Sequence, residues 1–228
     1  VYDPFAGGSV RGIVAAKLGR RYYGVDLRPE QAAANEEQAA RICPDNAPVW
    51  VVGDACDTLA FAEAESIPGE CDLVFSCPPY ASLERYSDDP RDISTMDYDD
   101  FLTAYRQIIA DACRLLKQDR FACFVVGDVR DPKNHGIYRN FIGDTVDAFE
   151  AAGLGLYNEM ILVTAVGSLP IRVGRQFSAY RKVGKTHQQC LVFIKGDPGK
   201  AVKACGTVEV TDLSELLPEN AEEGLVDE

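Results

Sequence analysis

The chain has 228 residues, 46% of them hydrophobic, which is enough to bury one well-formed core with at most a small appendage. Its formal net charge of −13 argues against a general polyanion binder. No apolar run is long enough to span a bilayer, and the opening Val-Tyr-Asp-Pro-Phe lacks the charged, apolar and small-residue regions of a signal peptide. The eight cysteines contain no CxxC pair, and the two histidines, His135 and His187, lie far apart in sequence. That pattern indicates neither a metal site nor a disulfide framework, and scattered thiols fit a cytoplasmic protein.

The elements follow in chain order. Val1–Asp3 reads as the end of a strand. Because the chain opens inside it, the sequence reads as N-terminally truncated, a fragment cut at a domain boundary. Gly7-Gly8 forms a turn into a helix over about Ser9–Leu18. Arg21–Asp26 is a second strand, Pro29–Cys43 a helix rich in alanine and glutamate, Pro48–Gly53 a third strand and Cys71–Ser76 a fourth. After the polar stretch Ala81–Met96, Asp97 caps a helix that carries Asp99 and Asp100 in its first turn and runs to about Lys117. Phe121–Gly127 is a fifth strand and Tyr138–Ala152 a helix. Tyr157–Val166 and Gln189–Lys195 are two final strands with no helix between them, which predicts an antiparallel pair at one edge. Short apolar strands alternating with helices predict an α/β fold, a doubly wound, mostly parallel sheet. Residues 1–200 form this domain. Residues 201–228 form an acidic, flexible tail: after Lys203 there are eight acidic residues and no Lys or Arg.

Four features sit where an open α/β sheet binds ligands, at the carboxyl ends of its strands. Asp3-Pro4-Phe5-Ala6-Gly7-Gly8 ends the first strand, and glycine there lets backbone approach a ligand closely. The alternative is an ordinary strand-to-helix turn. Asp26, roughly twenty residues past that turn, can accept both hydroxyls of a ribose, or else cap the helix at Pro29. Asp54-Ala55, after the third strand, can accept a hydrogen bond from an adenine amino group, or cap the next segment. Ser76-Cys77-Pro78-Pro79-Tyr80 ends the fourth strand. Two prolines cannot donate to a ladder, so the strand stops there and the carbonyls of Cys77 and Pro78 are left for a substrate. Tyr80 offers a ring on which a flipped base can stack.

Together these motifs resemble the amino-methyltransferases of DNA, which make N6-methyladenine or N4-methylcytosine. Asp-Pro-Phe-Ala-Gly is similar to their cofactor motif and Pro-Pro-Tyr to their catalytic motif, and the resemblance runs from Val1 to about Lys195. It is greatest to phage-type methylases with a Ser-Asp-Asp-Pro-Arg-Asp segment, here Ser87–Asp92. The resemblance implies a Rossmann-like methyltransferase sheet, S-adenosylmethionine as cofactor, no metal, and a base of double-stranded DNA flipped toward Pro-Pro-Tyr. The chain departs from the family pattern at two places: Gly7-Gly8-Ser9 stands for the usual Gly-x-Gly, and Cys77 stands where the catalytic motif usually has Asp, Asn or Ser. A thiol is a weak hydrogen-bonding group.

One more segment bears on the substrate. Gly167–His187 carries Arg172, Arg175, Arg181, Lys182 and Lys185 with Phe177 and Tyr180 and no acid, which suits phosphate contact; the alternative is a solvated hairpin loop. Three functions are compatible with these residues: a DNA amino-methyltransferase with Ser76–Tyr80 as its catalytic motif, an inactive DNA- or partner-binding subunit of the same fold, and a cytosine C5-methyltransferase with Cys77 as nucleophile. The sequence specifies neither adenine nor cytosine, nor the recognition sequence, nor the oligomeric state.

Overall fold

The structure, a computed structural model, describes residues 1–80, 85–165, 167 and 169–206. Among these residues seven strands form one sheet: β1 (Tyr2–Asp3), β2 (Tyr23–Asp26), β3 (Val49–Val52), β4 (Cys71–Ser76), β5 (Leu116–Val126), β6 (Gly155–Val163) and β7 (His187–Lys195), in the order β3-β2-β1-β4-β5-β7-β6. The pairs from β3 to β5 are parallel; β7 runs antiparallel to both β5 and β6. This is the doubly wound sheet with an antiparallel edge pair that the alternation of elements predicts. The chain steps outward from β1 to β2 and β3, then returns to place β4 on the other side of β1. That reversal opens a crevice at the carboxyl ends of β1 and β4.

Among the described residues seven α-helices accompany the strands: α1 (Val10–Lys17), α2 (Pro29–Ile42), α3 (Thr58–Glu63), α4 (Tyr98–Leu115), α5 (Phe141–Ala151), α6 (Leu169–Tyr180) and α7 (Pro198–Cys205). Close approach sets the seat of α1: a Cβ on Gly12 would lie 2.7 Å from the Trp50 ring. Helix α4 is the central one. Asp97 caps it by accepting from the N–H groups of Asp99 and Asp100, both at 3.1 Å. Phe101, Leu102, Tyr105, Ile108, Ile109, Ala112 and Leu115 recur every three or four residues and are buried as one stripe. Phe101 and Tyr105 then meet Phe141 of α5, and Tyr105 reaches Phe124 of β5, so an aromatic cluster underlies the end of the sheet where the crevice opens.

Three differences from the sequence reading have physical reasons. A helix, α6, stands between the last two strands where none was expected. The segment from Gly167 was expected to join the two strands without a helix, but a proline in a first helical turn gives up an N–H that has no intrahelical partner anyway. The short α3 was also not read. Finally, α7 crosses the expected boundary at residue 200: Asp197 caps it by accepting from Lys200 N at 2.8 Å, Ala201 is fully buried, and Gly206 follows at a φ of +81°. The acidic segment from residue 207 onward, part of the polar stretch (residues 81–84) and Val166 lie outside the described residues.

Candidate active site

The motifs at the ends of β1, β2 and β4 share one cleft of about 440 Å³, lined by Phe5, Gly7, Gly8, Arg11, Asp26, Arg28, Cys77, Pro78, Pro79, Tyr80, Tyr86 and Asp92, among others. A smaller recess of about 80 Å³ adjoins it on the β3 side and is lined by Pro4, Gly53, Asp54 and Ala55, among others. Phe5, Val25, Leu27 and Asp92 belong to both walls. The features the sequence singled out therefore lie in strand order along two adjoining pockets: Asp54 after β3 on the recess, and Asp26 at the end of β2, the glycine loop after β1 and Cys77–Tyr80 after β4 on the cleft.

Asp3, Ala6 and Ser76 are fully buried, behind this wall rather than on it. Asp3 gathers four donors. Its Oδ1 accepts from Ser76 Oγ at 2.5 Å and Phe5 N at 3.1 Å; its Oδ2 accepts from Arg11 Nε at 2.6 Å and the Tyr22 hydroxyl at 2.7 Å. The same Arg11 donates to the carbonyls of Phe5 and Ala6. The carboxylate thus ties β1, β4, α1 and the residue that leads into β2 together directly beneath the loop. Gly7 takes a φ of +53°, and added Cβ atoms at Gly7 and Gly8 would meet nothing within 4 Å. The loop backbone is bare toward the cavity.

Asp26 accepts from Arg28 N at 2.9 Å, and its side chain is 11% exposed. Burial raises its pKa; the N–H groups of Arg28 and Gly7 and the Arg28 charge oppose that shift without cancelling it. Asp54 accepts from Cys56 N at 2.9 Å and so caps a short 3-10 turn at Ala55–Asp57, the alternative weighed for it, while still lining the recess.

Tyr80 is half-buried, with its ring edge-on to Phe141 at 5.8 Å, and its hydroxyl accepts a hydrogen bond from Gln188 Nε2 on β7. Burial pushes the Cys77 thiol above its ordinary range, and the nearby Arg11 charge only partly offsets this. A protonated thiol is a poor nucleophile, which weighs against covalent attack by Cys77.

Sequence reasoning did not single out several groups here, Arg11 and Arg28 among them. Tyr86, Arg91 and Asp92 come from the segment around Ser87–Asp92, which folds back over the cavity. Asp92 is fixed by Ser87 Oγ at 2.9 Å and by Ser94 N at 2.9 Å. The unusual Ser-Asp-Asp-Pro-Arg-Asp run was the available signal. Gln188 carried none, because a polar residue in an edge strand is ordinary.

The basic segment lines a separate groove of about 940 Å³ between α6 and the loop after β5. Arg175, Lys182 and Lys185 are on its wall, opposite Arg130 and Tyr138, which stack with the guanidinium 4.0 Å above the ring. Arg130 and Tyr138 were not anticipated. Arg181 does not line the groove; it ends α6 at a φ of +54° and donates to Phe177 O at 3.3 Å. The side chain of Arg172 lies outside what is described. Among the described residues no group of His, Cys, Asp and Glu could hold a metal ion, and no helix is long and apolar enough to cross a membrane.

No protein-family model and no curated protein matches the chain. Solved structures do. TrmN from Thermus thermophilus aligns with a TM-score of 0.53 at 15% identity, over 85% of this chain and 43% of that one. Precorrin-6y C5,15-methyltransferase from Geobacter metallireducens GS-15 aligns at 0.51 and 14%, over 85% and 78%. Magnesium protoporphyrin IX methyltransferase (ChlM) from Synechocystis PCC 6803, solved with bound SAM, aligns at 0.51 and 10%, over 85% and 68%. The chain spans less than half of TrmN. At these identities the likeness shows the fold: the chain has the Rossmann-like sheet of the methyltransferases.

Proposed function

We propose that the chain binds S-adenosylmethionine in the cavity at the ends of β1 to β4 and transfers its methyl group to an exocyclic amino group of a DNA base, adenine N6 or cytosine N4. One observation carries this reading: the Pro-Pro-Tyr motif and the glycine loop with Asp26 line the same cavity. The cavity also fits the cofactor. Bare loop backbone allows close approach, Asp26 suits a ribose diol, and the recess beside Asp54 suits a flat purine edge. The cofactor, when bound, would supply a methyl group on an electrophilic sulfonium: the N–C bond forms as the S–C bond breaks, S-adenosylhomocysteine leaves as a neutral thioether, and the methylated amine gives up one proton to water.

The protein's part is mainly positioning. An amino group conjugated to a base is a weak nucleophile. The carbonyl of Pro78, free because no ladder follows, accepts from that amine and localises its lone pair. Tyr80, held by Phe141 and Gln188, gives the base a fixed face to stack on. No protein nucleophile takes part. Incubating duplex DNA with the protein and the cofactor, then digesting to nucleosides for mass spectrometry, tests the reading. N6-methyladenine or N4-methylcytosine is the expected product, and 5-methylcytosine or no methylated nucleoside overturns it.

Asp26→Ala is expected to weaken S-adenosylmethionine binding by about 1–3 kcal/mol, the range for leaving buried hydrogen-bonding groups unpaired. Because burial raises the pKa of Asp26, affinity should fall with acidification at a pH above the ordinary aspartate value of 3.8. Protonation removes acceptor strength, so binding is full above the shifted pKa and lost below it. Titration calorimetry across pH, on parent and variant, checks both; equal affinities would remove Asp26 from the ribose site.

The groove is read as the path of the DNA backbone. Arg175→Ala and Lys182→Ala should each weaken duplex binding and make it less salt-dependent, with the slope of log affinity against log salt falling by about 1 per lost phosphate contact. An unchanged slope in fluorescence anisotropy would leave the groove a solvated surface.

A further inference from the structure

One charged group on the cavity wall has no part in the function just described. Arg11 lies on the first turn of α1, and its guanidinium carries five N–H donors. The Nε donor goes to Asp3, and one terminal nitrogen donates to the carbonyls of Phe5 and Ala6. The second terminal nitrogen makes no hydrogen bond to protein among the described residues, although the Tyr22 hydroxyl also lies close to the guanidinium. The side chain is 25% exposed, and it lines the cavity. Its counter-charge, Asp3, is fully buried on the far side.

The other charges on this wall are Asp26, Arg28 and Asp92. Arg28 is turned toward β2: its Nε lies 3.9 Å from Asp26 and a terminal nitrogen donates to Gln31 at 2.8 Å. Asp92 is held by Ser87 and Ser94. Arg11 is therefore the cation on the β1–β4 side, close enough to Cys77 for its charge to act on the thiol. S-adenosylmethionine carries one carboxylate, at the end of the molecule opposite the purine. With the purine toward β3 and the ribose at Asp26, the amino-acid end falls over β1, on the side where Arg11 stands.

We propose that Arg11 binds the carboxylate of the cofactor's amino-acid end through the unpartnered terminal nitrogen of its guanidinium, while its other donors hold the glycine loop. The proposal rests on the cofactor reading above. It makes Arg11 a binding residue with two faces: one fixes the loop from beneath and the other meets the ligand.

Calorimetric titration of the full chain with S-adenosylmethionine and with decarboxylated S-adenosylmethionine separates the two roles, since both carry the sulfonium and only the first has the carboxylate. The parent should prefer S-adenosylmethionine by about ten- to a hundredfold, the range for a charge-assisted hydrogen bond. In Arg11→Gln that preference should shrink to within about threefold, even if both affinities fall because the loop has loosened. A preference left intact in Arg11→Gln, with both affinities reduced in parallel, would make Arg11 a loop support only and overturn the proposal. A parent that binds the two compounds equally overturns it without any variant, which covers the case of a variant that does not fold. A parent that binds neither removes the cofactor assignment itself and this proposal with it.

Discussion

Tyr80→Ala is expected to lower the rate of methyl transfer by about ten- to a hundredfold or more, while Cys77→Ser stays within about threefold of the parent. Stacking of a base on an aromatic ring is worth about 1–3 kcal/mol, and in the proposed mechanism the same ring would also fix where the base stops. Truncation removes that face, leaves Gln188 without its hydroxyl partner and opens space beside Phe141. Tyr80→Phe keeps the face and loses only the link to Gln188, so it should fall between parent and alanine. Cys77 has a smaller expected role. Burial favours its protonated thiol, in the proposed mechanism backbone carbonyls polarise the amine, and a serine hydroxyl is the better hydrogen-bonding group in the same space. Incorporation of a tritiated methyl group into duplex DNA, measured for the parent and the three variants, gives the order. A dead Cys77→Ser beside a nearly intact Tyr80→Ala would mean covalent attack by Cys77 and sink the amino-transfer mechanism. A parent without transfer would leave the fold to a binding subunit.

The sheet was legible because its strands are short apolar runs between turn residues, and Cys71–Ser76 matches β4 residue for residue. The cap at Asp97 was equally plain, since its two donors follow it immediately. Boundaries blurred where one element runs straight into the next. Leu115 ends α4 and Leu116 begins β5, so the strand starts five residues before the aromatic run that announces it. The loop motifs fixed which strand ends hold the site, but not which side chains face it. Asp3 belongs to the motif most suggestive of cofactor contact, yet its carboxylate points inward to four donors, from Phe5 and Arg11 nearby to Tyr22 and Ser76 farther along the chain. Tyr22, Arg11 and Ser76 converge on it only once the sheet is assembled. For the same reason Arg130 and Tyr138 were invisible as partners of the basic segment: they come from the loop after β5, and only the fold sets them opposite α6.

Asp3→Ala should therefore act on stability before it acts on binding, lowering the protein's unfolding free energy by about 3–5 kcal/mol, the cost of removing one partner of a buried ion pair. The substitution leaves the guanidinium of Arg11, three-quarters of it out of solvent, without its counter-charge, and strands the hydroxyls of Tyr22 and Ser76. For a chain of this size that corresponds to a fall in melting temperature of roughly 6–20 °C. Asp3→Asn should recover little of it. Oδ1 accepts from a backbone N–H at Phe5 and Oδ2 from a guanidinium N–H, and neither donor can turn around. Whichever way the amide is placed, its NH₂ group faces one of them. Ser76→Ala is the milder control: it deletes one of the four donors and leaves the pair with Arg11 in place, for about 1.5–3 kcal/mol at most. Thermal unfolding followed by circular dichroism ranks the three variants. Asp26→Ala, on the cavity wall instead of beneath it, should melt close to the parent while losing cofactor affinity. If Asp3→Ala melts within about 2 °C of the parent, a shift worth no more than ~1 kcal/mol, the carboxylate does not tie the strands together as its four contacts indicate.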